Sequence, residues 1–204
     1  MYHVAMIIIG LGNPGTEYVG TRHNAGREAV IRFATAHEFP EWKLDKKSNA
    51  LVSKGKMGAT VTTLVVPETY MNKSGTAAKV FVTSAKKASQ LIVVHDDLDL
   101  PLGRAKMSWD KSSGGHKGVE SVMRALGTQA FWRIRIGISK PGKNGSVKKP
   151  SGDDLLDNFI VAPFKPAEAL EMNKVHKQVV SCLETATSDN PGRAMSEFNA
   201  SFNV

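Results

Sequence analysis

Short apolar runs alternate with polar stretches along this chain at two different periods. Residues 5–9, 61–66 and 91–94 are almost wholly Val, Ile, Leu, Ala, Met and Thr, as strands buried on both faces are. The pattern predicts a first strand over residues 5–12 and a central one over 91–94. It also predicts a strand pair over 50–54 and 59–66, turning at 55–58. Residues 103–109 alternate, and so do 131–138, where Arg133 and Arg135 interleave with Ile134 and Ile136. One face of that strand is therefore expected to be basic and the other buried.

Helical spacing takes over between these runs. Asn24 is placed to cap a helix to about residue 38, with Ala25, Ala29, Phe33 and His37 on one face. Ala77, Phe81 and Ala85 align over a single helix at 74–87, and a helix at 118–126 ends at Gly127. Lys165-Pro166 opens a long helix to about residue 187, carrying Leu170, Met172, Val175, Val179, Cys182 and Ala186. Asn190-Pro191-Gly192 breaks it, leaving 193–204 as a short helix or a frayed tail. Residues 41–49 read as a polar loop and 141–153 as a mobile Gly-, Ser-, Lys- and Pro-containing loop. Strands alternating with helices, no repeat and no linker predict one α/β domain over residues 1–204. Its sheet is expected to be twisted and mostly parallel (mixed), with helices on both faces.

Three polar clusters follow the apolar runs directly: Gly10-Leu11-Gly12-Asn13-Pro14-Gly15 with Thr21-Arg22-His23-Asn24, then Pro67-Glu68-Thr69-Tyr70-Met71-Asn72, then His95-Asp96-Asp97-Leu98-Asp99. Parallel strands would gather these clusters at one edge of the sheet, where α/β proteins place their sites. Gly10–Gly15 matches the dinucleotide pattern G-x-G-x-x-G. That pattern needs a helix to start at the motif, and here the cap at Asn24 delays it. A tight turn exposing Asn13 fits better than dinucleotide binding. No serine or cysteine has a catalytic signature around it, so water is the expected nucleophile.

His23 is the candidate base, since a neutral imidazole with a pKa of about 6.5 can take a proton from water near neutrality. Asp96 is the candidate carboxylate for its other nitrogen. Asn13 and Asn72 carry donors and acceptors suited to amide and carbonyl groups. Taken singly, His23 reads as a loop histidine and each asparagine as a turn or cap residue; their shared place after strand ends favours a site. Asp96, Asp97 and Asp99 beside His95 offer metal ligands in principle, although acids after a strand are common.

The formal charge of +8 is concentrated: residues 101–150 carry eleven basic and two acidic side chains, so this block is +9 and the remainder −1. Such a block points to a polyanionic partner, nucleic acid first among them, against the plainer reading of a solvated surface. Ser112-Ser113-Gly114-Gly115-His116-Lys117-Gly118 precedes a helix and offers backbone N–H groups to a phosphate, with Arg133 and Arg135 downstream. No run approaches the ~18 apolar residues of a membrane span. Cys182 is the one cysteine, which excludes an internal disulfide and fits a reducing setting. The expected location is the cytoplasm, or a mitochondrion or plastid if a transit segment has been removed.

The same residues resemble the bacterial-type peptidyl-tRNA hydrolase family. The likeness runs in family order through Gly10–Gly15, Glu17-Tyr18, Thr21–Gly26, Thr69–Gly75, His95–Pro101, Gly115–Gly118 and Arg133–Ile138. It implies an α/β monomer that hydrolyses the ester joining a peptide to the 3′ end of tRNA, with no metal and no cofactor. By the resemblance His23 is catalytic and Asp96 supports it. Asn13 and Asn72 match substrate-binding asparagines, Tyr18 and Met71 line the cleft, His116 falls in the glycine-rich gate loop, and Arg135 with the lysines around it matches the region that contacts tRNA phosphate; Lys117 is placed with the substrate residues, and Lys106, Lys111 and Arg133 with the phosphate contacts. One departure stands out. The family carries Asn after the gate histidine, where this chain has Lys117, and Ser112-Ser113 replace glycines. The alternative expectation is an RNA-binding protein on the same fold with weak or no hydrolase activity.

Overall fold

The computed structural model of the 204-residue chain describes residues 5–143, 146–150, 152 and 158–202. Four parallel strands form its centre: β4 (Thr60–Pro67), β1 (Ala5–Gly10), β5 (Leu91–Pro101) and β7 (Trp132–Pro141). β3 (Ala50–Met57) and β2 (Lys43–Asp45) extend the β4 side antiparallel, while β6 (Ala105–Trp109) and β8 (Val147–Lys148) pair antiparallel with β7. The order is β2-β3-β4-β1-β5-β7-β6, with β8 joined to β7 off that path.

Both faces of this sheet are covered, which is why its central strands read as unbroken apolar runs. On one face α1 (Ala25–Ala36), α5 (Pro166–Ser188) and α6 (Pro191–Phe202) bury Phe33, Val179, Leu183 and Phe198 against Ile8, Val94 and Ile134. On the other, α2 (Ser74–Phe81), α3 (Ala85–Ala88) and α4 (Lys117–Leu126) bury Ala77, Ala88, Val119 and Val122 against Ile9, Val93 and Phe131. The α/β class and the mixed, mostly parallel sheet are as the sequence predicts.

Several elements differ from the sequence reading, each for a local reason. The stretch 74–87 is two helices, because Val82 turns extended and the Ser84 side chain accepts from the Lys87 N–H to cap a new turn. β2 lies within 41–49; its side chains are charged or half-exposed, so only backbone pairing with β3 marks it as a strand. The hairpin between β3 and β4 is tight, turning at Gly58 and Ala59. β5 runs on past Val94 to Pro101, with a register shift between Asp97 and Pro101. Its polar residues hide that extension, although His95, Asp96 and Asp97 are buried and hydrogen-bonded. α6 starts at Pro191, where Asn190 accepts from the Arg193 N–H, so Pro191 and Gly192 begin a helix as well as ending one. Leu170 is 67% exposed on α5, off the buried stripe. Of the loop expected at 141–153, β8 is ordered against β7, and residues 144, 145, 151 and 153 lie outside the described residues.

Gly26 sets the crossing of α1 over the sheet. A Cβ there would lie 2.2 Å from the Val94 carbonyl oxygen, so only glycine lets the first turn of α1 rest on β5 at this depth. That contact carries the turn just before α1, residues 22–24, to the point where β5 reaches Asp96.

Candidate active site

β1 ends in Gly10 and its chain continues beside β5, the Leu11 N–H donating to the Val94 carbonyl at 2.9 Å. Asn13 is then held from three directions. Its N–H donates to Asn24 Oδ1 at 2.8 Å, its carbonyl accepts from Asn24 Nδ2 at 3.0 Å, and its Oδ1 accepts from the Met71 N–H at 2.9 Å. Asn24 therefore precedes α1 without capping it through its side chain; that side chain locks the loop after β1 instead. With Oδ1 engaged, the Nδ2 group of Asn13 is the part that can donate to a carbonyl.

His23 and Asp96, 73 positions apart, meet at this edge. His23 Nδ1 lies 3.0 Å from both Asp96 Oδ1 and Oδ2. A second imidazole reaches the same carboxylate, His116 Nε2 lying 2.9 Å from Oδ1. His116 Nδ1 accepts from the Val119 N–H at 3.2 Å and so caps α4. This fixes the His116 tautomer with its proton on Nε2, donating to Asp96. Gly114 and Gly115, at φ 65° and 82°, supply the left-handed turn that delivers His116 to the cap.

Asp96 is 2% exposed. Burial alone would raise its pKa, but the two imidazoles and their hydrogen bonds hold it well below the usual carboxylate range. His95 lies behind them, its Nδ1 2.6 Å from the Asp96 carbonyl and its ring 4.7 Å from that of His116. Full burial, then neighbouring His116 and Arg133, push its pKa well below the ordinary histidine value, so it is neutral.

The cleft in front of this cluster is lined by His23, Asp96, Asp97 and His116 with Leu98, Ile160, Lys117 and the turn 113–115. Lys117 is exposed at its rim as the first residue of α4. Met71 is buried, and the space around Gly118 is bounded by the Met71 sulfur and the His116 ring, so Met71 and Asn13 form one flank of the site. Tyr18 is half-exposed and Asn72 exposed; neither is among the residues lining this cleft, nor are Asn13 and Met71.

The basic residues separate into two groups. Lys106 pairs in register with Arg135 across β6 and β7, and Lys106 and Lys111 are exposed. Arg135 donates through Nε to Asp97 Oδ2 at 2.6 Å and keeps part of its side chain at the surface. Arg133 corrects the expectation of a shared basic face: it is 2% exposed. The alternation does place it on the side of Arg135, but Arg133 is buried where Arg135 is half-buried. It is not placed to meet a phosphate.

Arg22 is the structural anchor that local sequence does not announce. Its guanidinium donates to the carbonyls of Ala162 and Pro163 and to Glu168 Oε2 at 2.6 Å, and it stacks over Phe159 and Phe164 at 4.5 and 5.1 Å. It ties the turn carrying His23 to the segment carrying Ile160, about 140 positions away. No pattern near Arg22 indicates those partners. Ile160 is likewise a cleft residue that sequence reasoning did not single out.

Chemically, the pair His23–Asp96 is an imidazole whose proton is fixed on Nδ1, leaving Nε2 as the basic nitrogen. His23, Asp96 and His116 also make a set of three metal-donor side chains with ligand atoms within 4.8 Å of one another. Among the described residues, no helix is long and apolar enough to cross a membrane.

Comparison with known proteins bears on this site. A sequence profile described as peptidyl-tRNA hydrolase matches residues 7–204. The peptidyl-tRNA hydrolase of Aquifex aeolicus (strain VF5) is 39% identical over 194 residues, covering 95% of each chain. That of Herpetosiphon aurantiacus (strain ATCC 23779) is 37% identical over 196 residues, 95% of this chain and 89% of the relative. The crystal structure of peptidyl-tRNA hydrolase from Acinetobacter baumannii superposes with a TM-score of 0.85 at 28% identity, over 98% of both chains.

Proposed function

The chain belongs to the peptidyl-tRNA hydrolase family and is an enzyme of that type, and on that premise we propose that it cleaves the peptide–tRNA ester with a water activated by His23. The observation that carries this reading is His23 Nδ1 standing 3.0 Å from both oxygens of Asp96 at the edge of the cleft. His23 Nε2 takes a proton as the water oxygen bonds to the ester carbonyl carbon. Asp96 holds the ring and stabilises the imidazolium that forms. The Asn13 Nδ2 group is the donor assigned to the developing oxyanion, an interaction that contributes roughly 3 kcal/mol in comparable sites. Collapse of the intermediate breaks the bond to the ribose oxygen, which receives the proton back from His23. The products are a peptide carboxylate and free tRNA.

His116 supports the same carboxylate and is not the base, because its Nδ1 is occupied by the cap of α4. Tyr18, Met71, Asn72 and Lys117 are assigned to substrate contacts around the cleft. Lys106, Lys111 and Arg135 are assigned to tRNA phosphate, with Arg133 withdrawn from that set. The chain is proposed to act as a monomer in the cytoplasm and to need no cofactor.

Turnover of N-acetylaminoacyl-tRNA by the purified chain in 18O-enriched water tests this reading. The expected result is release of the acyl amino acid with label in its carboxylate and none in the tRNA. Tight tRNA binding with no release would overturn it and favour an RNA-binding role on this fold.

A further inference from the structure

We propose that His23, Asp96 and His116 also form a binding site for one divalent transition-metal ion, and that occupation of this site and water activation exclude each other. The donor set is two imidazoles and one carboxylate, a combination that suits zinc, cobalt and iron and leaves a coordination position for water. The ligand atoms already lie within 4.8 Å of one another. Zinc–ligand bonds of about 2.0–2.2 Å place donors about 3.3 Å apart around a tetrahedron, so the widest pair must close by about 1.5 Å. Asp96 Oδ1 stands at that spacing already, 3.0 Å from His23 Nδ1 and 2.9 Å from His116 Nε2. Side-chain exposures of 10%, 3% and 8% leave little of the three donors to solvent. The adjacent Asp97 does not compete, because Arg135 holds it.

The protons can be followed through binding. Without metal, Asp96 accepts N–H from His23 Nδ1 and from His116 Nε2. A metal on those two nitrogens moves the His23 proton to Nε2 and the His116 proton to Nδ1, so no net proton leaves the protein. Two consequences follow. His23 Nε2 becomes a donor and cannot accept a proton from water. His116 Nδ1 becomes a donor facing the Val119 N–H, so the cap of α4 is lost. Metal binding is therefore coupled to the start of α4. Magnesium and calcium, which select oxygen ligands, are not expected to bind here.

The binding half of this inference stands apart from hydrolysis; the exclusion of water activation rests on the proposed mechanism. The test is a Co2+ titration of the untagged full chain followed by visible absorption, with Zn2+ and Mg2+ as competitors and hydrogen exchange at Val119 measured alongside. Expected are one Co2+ per chain, displaced by Zn2+ and not by Mg2+, and exchange at Val119 faster by about tenfold in the loaded form. His116→Ala should weaken Co2+ binding by about tenfold or more. Absence of Co2+ absorption at millimolar metal would overturn the site. So would an affinity unchanged in His116→Ala, or unchanged Val119 protection in loaded wild type, a readout that needs no variant to fold. Zn2+ should also abolish tRNA-ester turnover reversibly with EDTA. Full turnover in the Zn2+-loaded chain would overturn the exclusion, while an absence of turnover without metal would count against the hydrolase mechanism and not against the site.

Discussion

His116 donates through Nε2 to Asp96 at 2.9 Å while its Nδ1 accepts the Val119 N–H, so both of its ring nitrogens are engaged at once. His23 turns its Nδ1 to the same carboxylate. One carboxylate thus orients two imidazoles, and their different second partners give them different roles. The one that caps a helix supports the carboxylate, and in the proposed mechanism the other takes the proton.

This division predicts that His116→Ala and His116→Asn separate in stability and agree in catalysis. Asparagine is among the strongest N-caps and alanine among the weakest, a difference of about 1 kcal/mol. Urea unfolding should find His116→Ala less stable than His116→Asn by about that amount, with both below wild type because the buried Asp96 loses a hydrogen-bond partner. Both variants lose the imidazole on Asp96, and both should show kcat lowered about tenfold or more. A kcat retained in His116→Asn would mean that His116 matters only as a cap.

The basic strand predicts a second separation. Lys106→Glu, at an exposed position in register with Arg135, should weaken tRNA binding and lower the slope of log affinity against log salt by about 1. A short ester lacking the tRNA body should be hydrolysed at the wild-type rate. Arg133→Met, at a position 2% exposed, should leave that salt slope unchanged. Filter-binding titrations from low to moderate salt measure both, and an equal loss of slope in the two variants would restore Arg133 to the phosphate contacts.

These two arginines also show where the sequence is legible and where it stops. The central strands are readable because helices on both faces demand unbroken apolar runs, and the long helix because its buried stripe repeats at helical spacing. The polar clusters after strand ends are readable as a site once the strands are taken as parallel. Alternation tells that Arg133 and Arg135 share a face, but only the tertiary packing decides that one is buried and the other half-buried. The same holds for Arg22, whose partners lie about 140 residues downstream, and for β2, whose pairing is made by backbone alone. Asp96 is a further case: its polarity argues against a buried strand position until the two imidazoles that satisfy it are in place.

A pH dependence of stability follows from His176. Burial, followed by the charge of Arg32, lowers its pKa from 6.5 to about 4, although its hydrogen bond to the Ala25 carbonyl acts the other way. Between those values the unfolded chain binds a proton that the folded chain does not, so stability is full above about 6.5 and falls as the pH drops toward 4. At about 1.4 kcal/mol per unit, the loss is on the order of 3 kcal/mol. His95, shifted in the same direction, adds to the loss as the pH falls below the ordinary histidine value. Urea unfolding at pH 7 and pH 4.5 should show wild type losing about 2–3 kcal/mol more than His176→Leu. Equal losses in the two proteins would show that His176 does not carry this dependence.

The most direct test of the catalytic assignment is the single-turnover rate of His23→Ala on peptidyl-tRNA at saturating enzyme, with tRNA affinity measured in the same preparation. A general base typically contributes about 100- to 10,000-fold. The mechanism therefore predicts a rate at least about a hundredfold below wild type with affinity within about threefold. A variant that binds tRNA normally and cleaves within a few-fold of the wild-type rate would contradict it.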